Sequence, residues 1–214
     1  VAGRRVPLRA VFDAPTVRKM SAALSGTAEA QPVAAARSIP VQPDQSTAPL
    51  TTMQQGIYLA ETMYPGRVTN NAPSAHRLRG PFNAGAFRRA LEAMMARQPI
   101  LRTSMFKGPD GAVQRVENVT DFPLIEEDLS TLPEGMREKE LMARMQAVVD
   151  RPIDIHAFPL FRAVLYRLKP EEHVFLFMPH HIIWDGWSFD ILYDELDRNY
   201  PDALAGSANA EPLS

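Results

Sequence analysis

The 214-residue chain contains no cysteine. That removes disulfides, thiolate metal ligands and a thiol nucleophile together, and it fits a cytoplasmic protein. A large excess of charge of one sign is also missing: 23 Lys and Arg against 25 Asp and Glu leave a net charge of −2. Such a balance gives no electrostatic case for nucleic acid or an anionic membrane as partner. No apolar run approaches the roughly 20 residues that cross a bilayer, and the run 174–178 is short and strand-like. The N-terminus, Val1-Ala2-Gly3-Arg4-Arg5, has neither an initiator Met nor the apolar stretch of a signal peptide. The chain therefore reads as a piece of something longer.

What is present falls into three zones. Residues 1 to about 24 hold one helix pattern, with Pro15 in its first turn and Val17, Met20 and Leu24 on one face. One short helix cannot bury a core alone, so it is expected to be the tail of a domain that begins upstream. Residues 25–48 are rich in Ala, Pro, Gln, Ser and Thr, and Pro32, Pro40 and Pro43 break any helix. This zone reads as an extended interdomain linker.

From Pro49 onward the pattern is dense. Thr51 or Thr52 can cap a helix running to Met63. Phe87, Leu91, Met94 and Met95 mark a second helix, and Leu141, Met145, Val148 and Val149 a third. Strands are predicted over 75–79, 100–106, 112–117, 160–168 and 173–180, with a turn at Pro109-Asp110-Gly111. A last helix is predicted to start near Ser188 as N-cap, presenting Phe189, Leu192, Tyr193, Leu196 and Tyr200 on one face. Helices mixed with paired strands predict an α/β layered domain with a mixed sheet.

The segment His180-His181-Ile182-Ile183-Trp184-Asp185-Gly186 carries the most chemical information. Side chains alternate along a strand, so His180 and His181 point to opposite faces and cannot share one metal. One imidazole packs and the other faces a cavity; alternation alone does not say which. An imidazole suits proton transfer near neutral pH, or holding an amine or hydroxyl in line for attack. Gly186 permits a tight turn or a close backbone approach after the strand. No His-x-x-x-His or His-Glu-x-x-His spacing occurs, which disfavours a zinc site.

Extended to Trp187-Ser188, this segment resembles the core motif of the condensation domains of nonribosomal peptide synthetases, which are chloramphenicol acetyltransferase-like acyltransferases. Two further stretches share the resemblance. Leu50-Thr51-Thr52-Met53-Gln54-Gln55-Gly56-Ile57-Tyr58-Leu59 is similar to the opening motif of these domains. Arg97-Gln98-Pro99-Ile100-Leu101-Arg102-Thr103-Ser104-Met105-Phe106 is similar to the second, with Gln98 and Pro99 where His and Glu are usual. Residues 6–17 resemble the last helix region of a peptidyl carrier domain.

The resemblance implies a domain order: 1–25 the C-terminal helix of a carrier, 26–48 a linker, and 49–214 the N-terminal lobe of a condensation domain, a chloramphenicol acetyltransferase-like α/β lobe with a mixed sheet flanked by helices. It implies a reaction in which the amine of a downstream carrier-bound aminoacyl thioester attacks an upstream acyl or peptidyl thioester. His181 is the implied catalytic residue, with His180, Asp185, Gly186 and Arg102 as support and Trp184, Trp187 and Ser188 as candidates for the substrate tunnel. Asp185 is expected to pair with Arg102, and loss of one partner from a buried pair would cost roughly 3–5 kcal/mol. The implied partners are upstream and downstream carrier domains, which deliver 4′-phosphopantetheine arms, and an adenylation domain of the same assembly line. No cofactor or metal is expected on the chain itself. With the second lobe missing, the isolated chain is expected to expose apolar surface and to lack synthetic activity. The alternatives are a coenzyme A-dependent acyltransferase of the same superfamily and a non-catalytic docking platform for carriers. Epimerization domains share the paired histidines, but the first two motifs read as condensation. Heterocyclization domains replace the histidines with aspartates.

Overall fold

The structure, a computed structural model, describes residues 16–26, 44–109 and 111–207. The chain divides into two units, 1–43 and 44–214. In the first, α1 spans Val17–Gly26. Its Val17 is exposed and its Met20 half-buried. Pro15, the carrier-like stretch 6–15 and the linker residues 27–43 lie outside the described residues.

The second unit begins at Asp44, a few residues before the boundary expected at 49. The reason is β1, Thr47–Pro49, which pairs antiparallel with β4 and so ties the end of the supposed linker into the fold. Pro49 is tolerated there because β1 is an edge strand. The elements then follow as α2 (Thr52–Met63), β2 (Ser74–Arg79), α3 (Ala84–Arg97), a 3₁₀ turn (Pro99–Arg102), β3 (Thr103–Gly108), β4 (Gly111–Val116), β5 (Leu124–Asp128), α4 (Glu134–Val149), β6 (Phe161–Lys169), β7 (Glu172–Pro179) and α5 (Gly186–Leu204).

The strands form two sheets rather than one. The smaller is antiparallel, in the order β1-β4-β3. The larger, β2-β7-β6-β5, is mixed: β5 runs parallel to β6 and the other pairs are antiparallel. β7 is flanked on both sides and covered on both faces, which explains its unbroken run of apolar residues. Phe175 and Phe177 pack toward α3 and α5, in one core with Phe87, Leu91, Leu192 and Leu196. Val174 and Leu176 pack on the opposite face, with Tyr166 and with Leu141 of α4.

One expected strand starts later than predicted, and one strand was not expected at all. Residues 100–102 are not strand but a 3₁₀ turn, because Pro99 has the fixed φ that suits a first helical turn and no N–H for a ladder. Thr103 closes the turn by donating its hydroxyl to the Pro99 carbonyl at 2.9 Å. β5 has no counterpart in the sequence pattern. Its residues Leu-Ile-Glu-Glu-Asp bury Leu124 and leave Ile125 exposed, so alternation gives no signal. Among the described residues no helix is long and apolar enough to cross a membrane.

Candidate functional site around His181

β7 stops at Pro179, and the chain turns at once. His180 still forms a single antiparallel bridge with Asn71, and its N–H reaches the Leu160 carbonyl at 2.8 Å. Its side chain is 1% exposed. Nδ1 accepts the N–H of Ile182 at 3.1 Å, so the ring proton resides on Nε2, which lies 3.3 Å from Oε1 of Glu61. Burial pushes the His180 pKa down and the Glu61 carboxylate opposes that shift.

His181 has the opposite environment. Its side chain is exposed, while its backbone N–H donates to the Asn70 carbonyl at 2.8 Å. The next three side chains, Ile182, Ile183 and Trp184, are buried again. The loop therefore rests on the core at its near end and along 182–184, with one imidazole turned outward between them. Sequence alternation left open which histidine packs; the structure buries His180.

Asp185 and Arg102 do not form the expected ion pair. Asp185 is the N-cap of α5: Oδ1 accepts the Ser188 N–H at 2.9 Å and the Ser188 hydroxyl at 2.6 Å, and the Asp185 N–H donates to Ser188 Oγ at 3.3 Å. These bonds, chiefly that from the Ser188 hydroxyl, hold the exposed Asp185 carboxyl below the usual range, with His181 adding a smaller effect. The cap is thus Asp185 rather than Ser188, because a carboxylate at the N-terminus satisfies free N–H groups that the helix itself cannot. Arg102 spreads its guanidinium over three backbone carbonyls: Met95 at 3.1 Å, Glu117 at 3.2 Å and Ala96 at 3.4 Å. Each charge already has local partners. Gly186 opens α5 with an ordinary negative φ, and a Cβ there would meet nothing within 4 Å, so neither the tight turn nor the close approach read from the sequence is present.

The two tryptophans separate. Trp184 is buried edge-on against Phe177 and Phe189, at centroid distances of 5.2 and 5.5 Å. Trp187 is 73% exposed. Trp184 and Ser188 also line a cavity of about 150 Å³ with Leu101, Ile191 and Glu195. Gln98 of the second motif reaches α5 here, donating to Glu195 Oε1 at 2.6 Å.

The first motif meets the histidine loop directly. Gln54 closes a capping box with Thr51, and its side chain donates to the Ile182 carbonyl at 3.2 Å. Sequence reasoning missed Glu61, Asn70 and Asn71. Glu61 lies three and four residues after Tyr58 and Ile57, the half-buried pair of α2, so an acidic residue on an inward stripe was the available signal. Asn71 donates from its side chain to the Val149 carbonyl at 2.7 Å. Among the described residues, no group of three or more His, Asp and Glu side chains could hold a metal ion.

A family model described as the condensation domain matches residues 44–213. The chain is 35% identical over 199 residues to one of the linear gramicidin synthase proteins of Brevibacillus parabrevis, covering 92% of this chain and 3% of that protein. It is 32% identical over 210 residues to phosphinothricin tripeptide synthetase PhsB of Streptomyces viridochromogenes, covering 97% of this chain and 18% of that protein. The crystal structure of the starter condensation domain of rhizomide synthetase RzmA matches with a TM-score of 0.70 at 24% identity, over 77% of this chain and 40% of the other. The first condensation domain of the calcium-dependent antibiotic synthetase matches with a TM-score of 0.68 at 23% identity, over 76% and 39%. The chain thus spans a small part of these curated relatives and about two fifths of the solved domains. The match over 44–213, with the mixed sheet that ends in paired histidines, places the chain in the condensation domain family.

Proposed function

We propose that residues 44–214 are the N-terminal lobe of the condensation domain of a cytoplasmic nonribosomal peptide synthetase, with 1–25 the end of an upstream carrier domain, and that the lobe supplies His181 for amide formation. The observation that carries this reading is the exposed imidazole of His181 on a loop whose neighbours are hydrogen-bonded and buried. Partner carriers bring the two thioesters on phosphopantetheine arms, after loading by an adenylation domain. The α-amine of the acceptor attacks the donor carbonyl, the C–N bond forms, the C–S bond breaks, and the departing thiolate takes up the proton. His181 holds the amine in line and relays that proton. The thioester is already activated and a free α-amine has a pKa near 8, so positioning supplies much of the rate. Trp187 and Ser188 stand at the mouth of α5, where an acceptor arm would pass.

The exposed Met53, Leu59 and Met63 of α2 and Trp187 and Ile191 of α5 offer apolar surface for a second lobe to cover. On this reading the isolated chain has no synthetic activity. The test is His181→Ala in the full-length synthetase, with loaded donor and acceptor carriers and the product followed by mass spectrometry. Turnover is expected to fall by about 10²-fold or more while carrier binding persists. Retained turnover would sink the assignment. Transfer from acyl-coenzyme A without a donor carrier would favour the coenzyme A-dependent alternative, and binding without transfer in the unaltered protein a docking platform.

A further inference from the structure

Glu61 is a charged residue set into the interior beside the histidine loop. Its side chain is 8% exposed, although it sits on a helix with no fully buried residue. One oxygen, Oε1, collects two donors: Asn70 Nδ2 at 2.5 Å and His180 Nε2 at 3.3 Å. Both donors lead to His181. Asn70 uses its backbone carbonyl to hold the His181 N–H at 2.8 Å. His180 is the preceding residue, and its other ring nitrogen holds the Ile182 N–H at 3.1 Å. The backbone N–H groups of residues 181 and 182 are therefore both held by groups that converge on one carboxylate oxygen.

We propose that Glu61 is a positioning residue for His181, acting through Asn70 and His180. This rests on the reading of His181 given above. Without Glu61, Asn70 Nδ2 and His180 Nε2 lose a shared buried acceptor, and buried donors left unpaired are costly enough to rearrange. His180 would then be free to change tautomer or rotate, releasing Ile182. The effect falls on the placement of the imidazole, where a displacement of about 1 Å can cost 10²-fold in rate. Because a single oxygen serves both donors, the carbonyl of a glutamine can take its place. The function of Glu61 is thus an acceptor at a fixed point rather than a negative charge.

The experiment compares Glu61→Ala, Glu61→Gln, Asn70→Ala and His181→Ala in the full-length synthetase, measuring kcat and the KM of the acceptor carrier beside thermal melting. Glu61→Ala is expected to lower kcat at least tenfold with the acceptor KM unchanged. Glu61→Gln is expected to restore kcat to within about threefold. Asn70→Ala keeps the backbone carbonyl but loses one anchor of the carboxylate, and is expected to lower kcat less than Glu61→Ala. If Glu61→Ala does not fold, the glutamine and Asn70 variants decide the matter alone. Unchanged kcat in both Glu61→Ala and Asn70→Ala, or a glutamine variant that folds and turns over tenfold or more slowly than the unaltered enzyme, overturns the proposal. His181→Ala with normal turnover overturns the underlying reading instead, so the two failures are distinguishable.

Discussion

The segments 98–106 and 180–188 each carry one formal charge near their centre, Arg102 and Asp185, and each turns it onto nearby backbone groups. Arg102 gathers three carbonyls from the end of α3 and the end of β4, so it ties a helix to a hairpin. Asp185 binds the first turn of the helix that follows it. The first is a long-range brace made from a forked cation; the second is a local cap made from a short anion. A long-range ion pair between them would compete with partners already in place.

The difference can be broken at its stronger end first. Arg102→Ala removes three charge-assisted bonds to backbone carbonyls and is expected to cost about 2 kcal/mol in urea unfolding. Arg102→Lys is expected to recover little, since an ammonium cannot reproduce the fork. Asp185→Ala loses a helix cap and should cost about 1 kcal/mol, well below the penalty of a broken buried pair, while Asp185→Asn should keep most of the stability. The double variant Arg102→Ala/Asp185→Ala sharpens the comparison most directly. Two independent devices give a coupling under about 0.5 kcal/mol, and a larger coupling would restore the ion pair.

The mildest probe is pH, and it reads the histidine side of the loop. Burial holds the folded His180 pKa below its ordinary 6.5, against the opposing pull of Glu61. The unfolded chain therefore binds the proton first. The neutral ring contributes fully above about pH 6.5, and that contribution is lost as pH falls toward the depressed folded value. Thermal midpoints are expected to decline from pH 7 to pH 5.5, before the carboxylates titrate. His173, also held low by burial, adds in the same direction. His180→Asn should flatten the decline, leaving the His173 share; an unchanged slope would count against His180 as its source.

Much of the fold was legible because its patterns are local. The helix capped by Thr51, the helix marked by Phe87 and Met94, and the paired strands around 169–172 all follow from periodicity and turn residues. β1 and β5 were not legible, since each is an edge strand made by its partner rather than by its own alternation. The same division runs through the site. The paired histidines, the three motifs and their order were readable, but the role of Glu61 was not, because it depends on His180, 119 residues further along the chain.

The residue types and spacing by themselves determined an α/β domain and a loop of two histidines, an aspartate and a glycine at the end of a buried strand. A strand's twofold alternation requires such neighbours to diverge. Only the tertiary structure decided which imidazole is covered, because that depends on where β7 ends and on the Glu61 carboxylate and Asn71 backbone brought beside His180. It also decided that Asp185 and Arg102 stay apart, the one capping α5 through Ser188 and the other held by backbone carbonyls that the fold brings beside it.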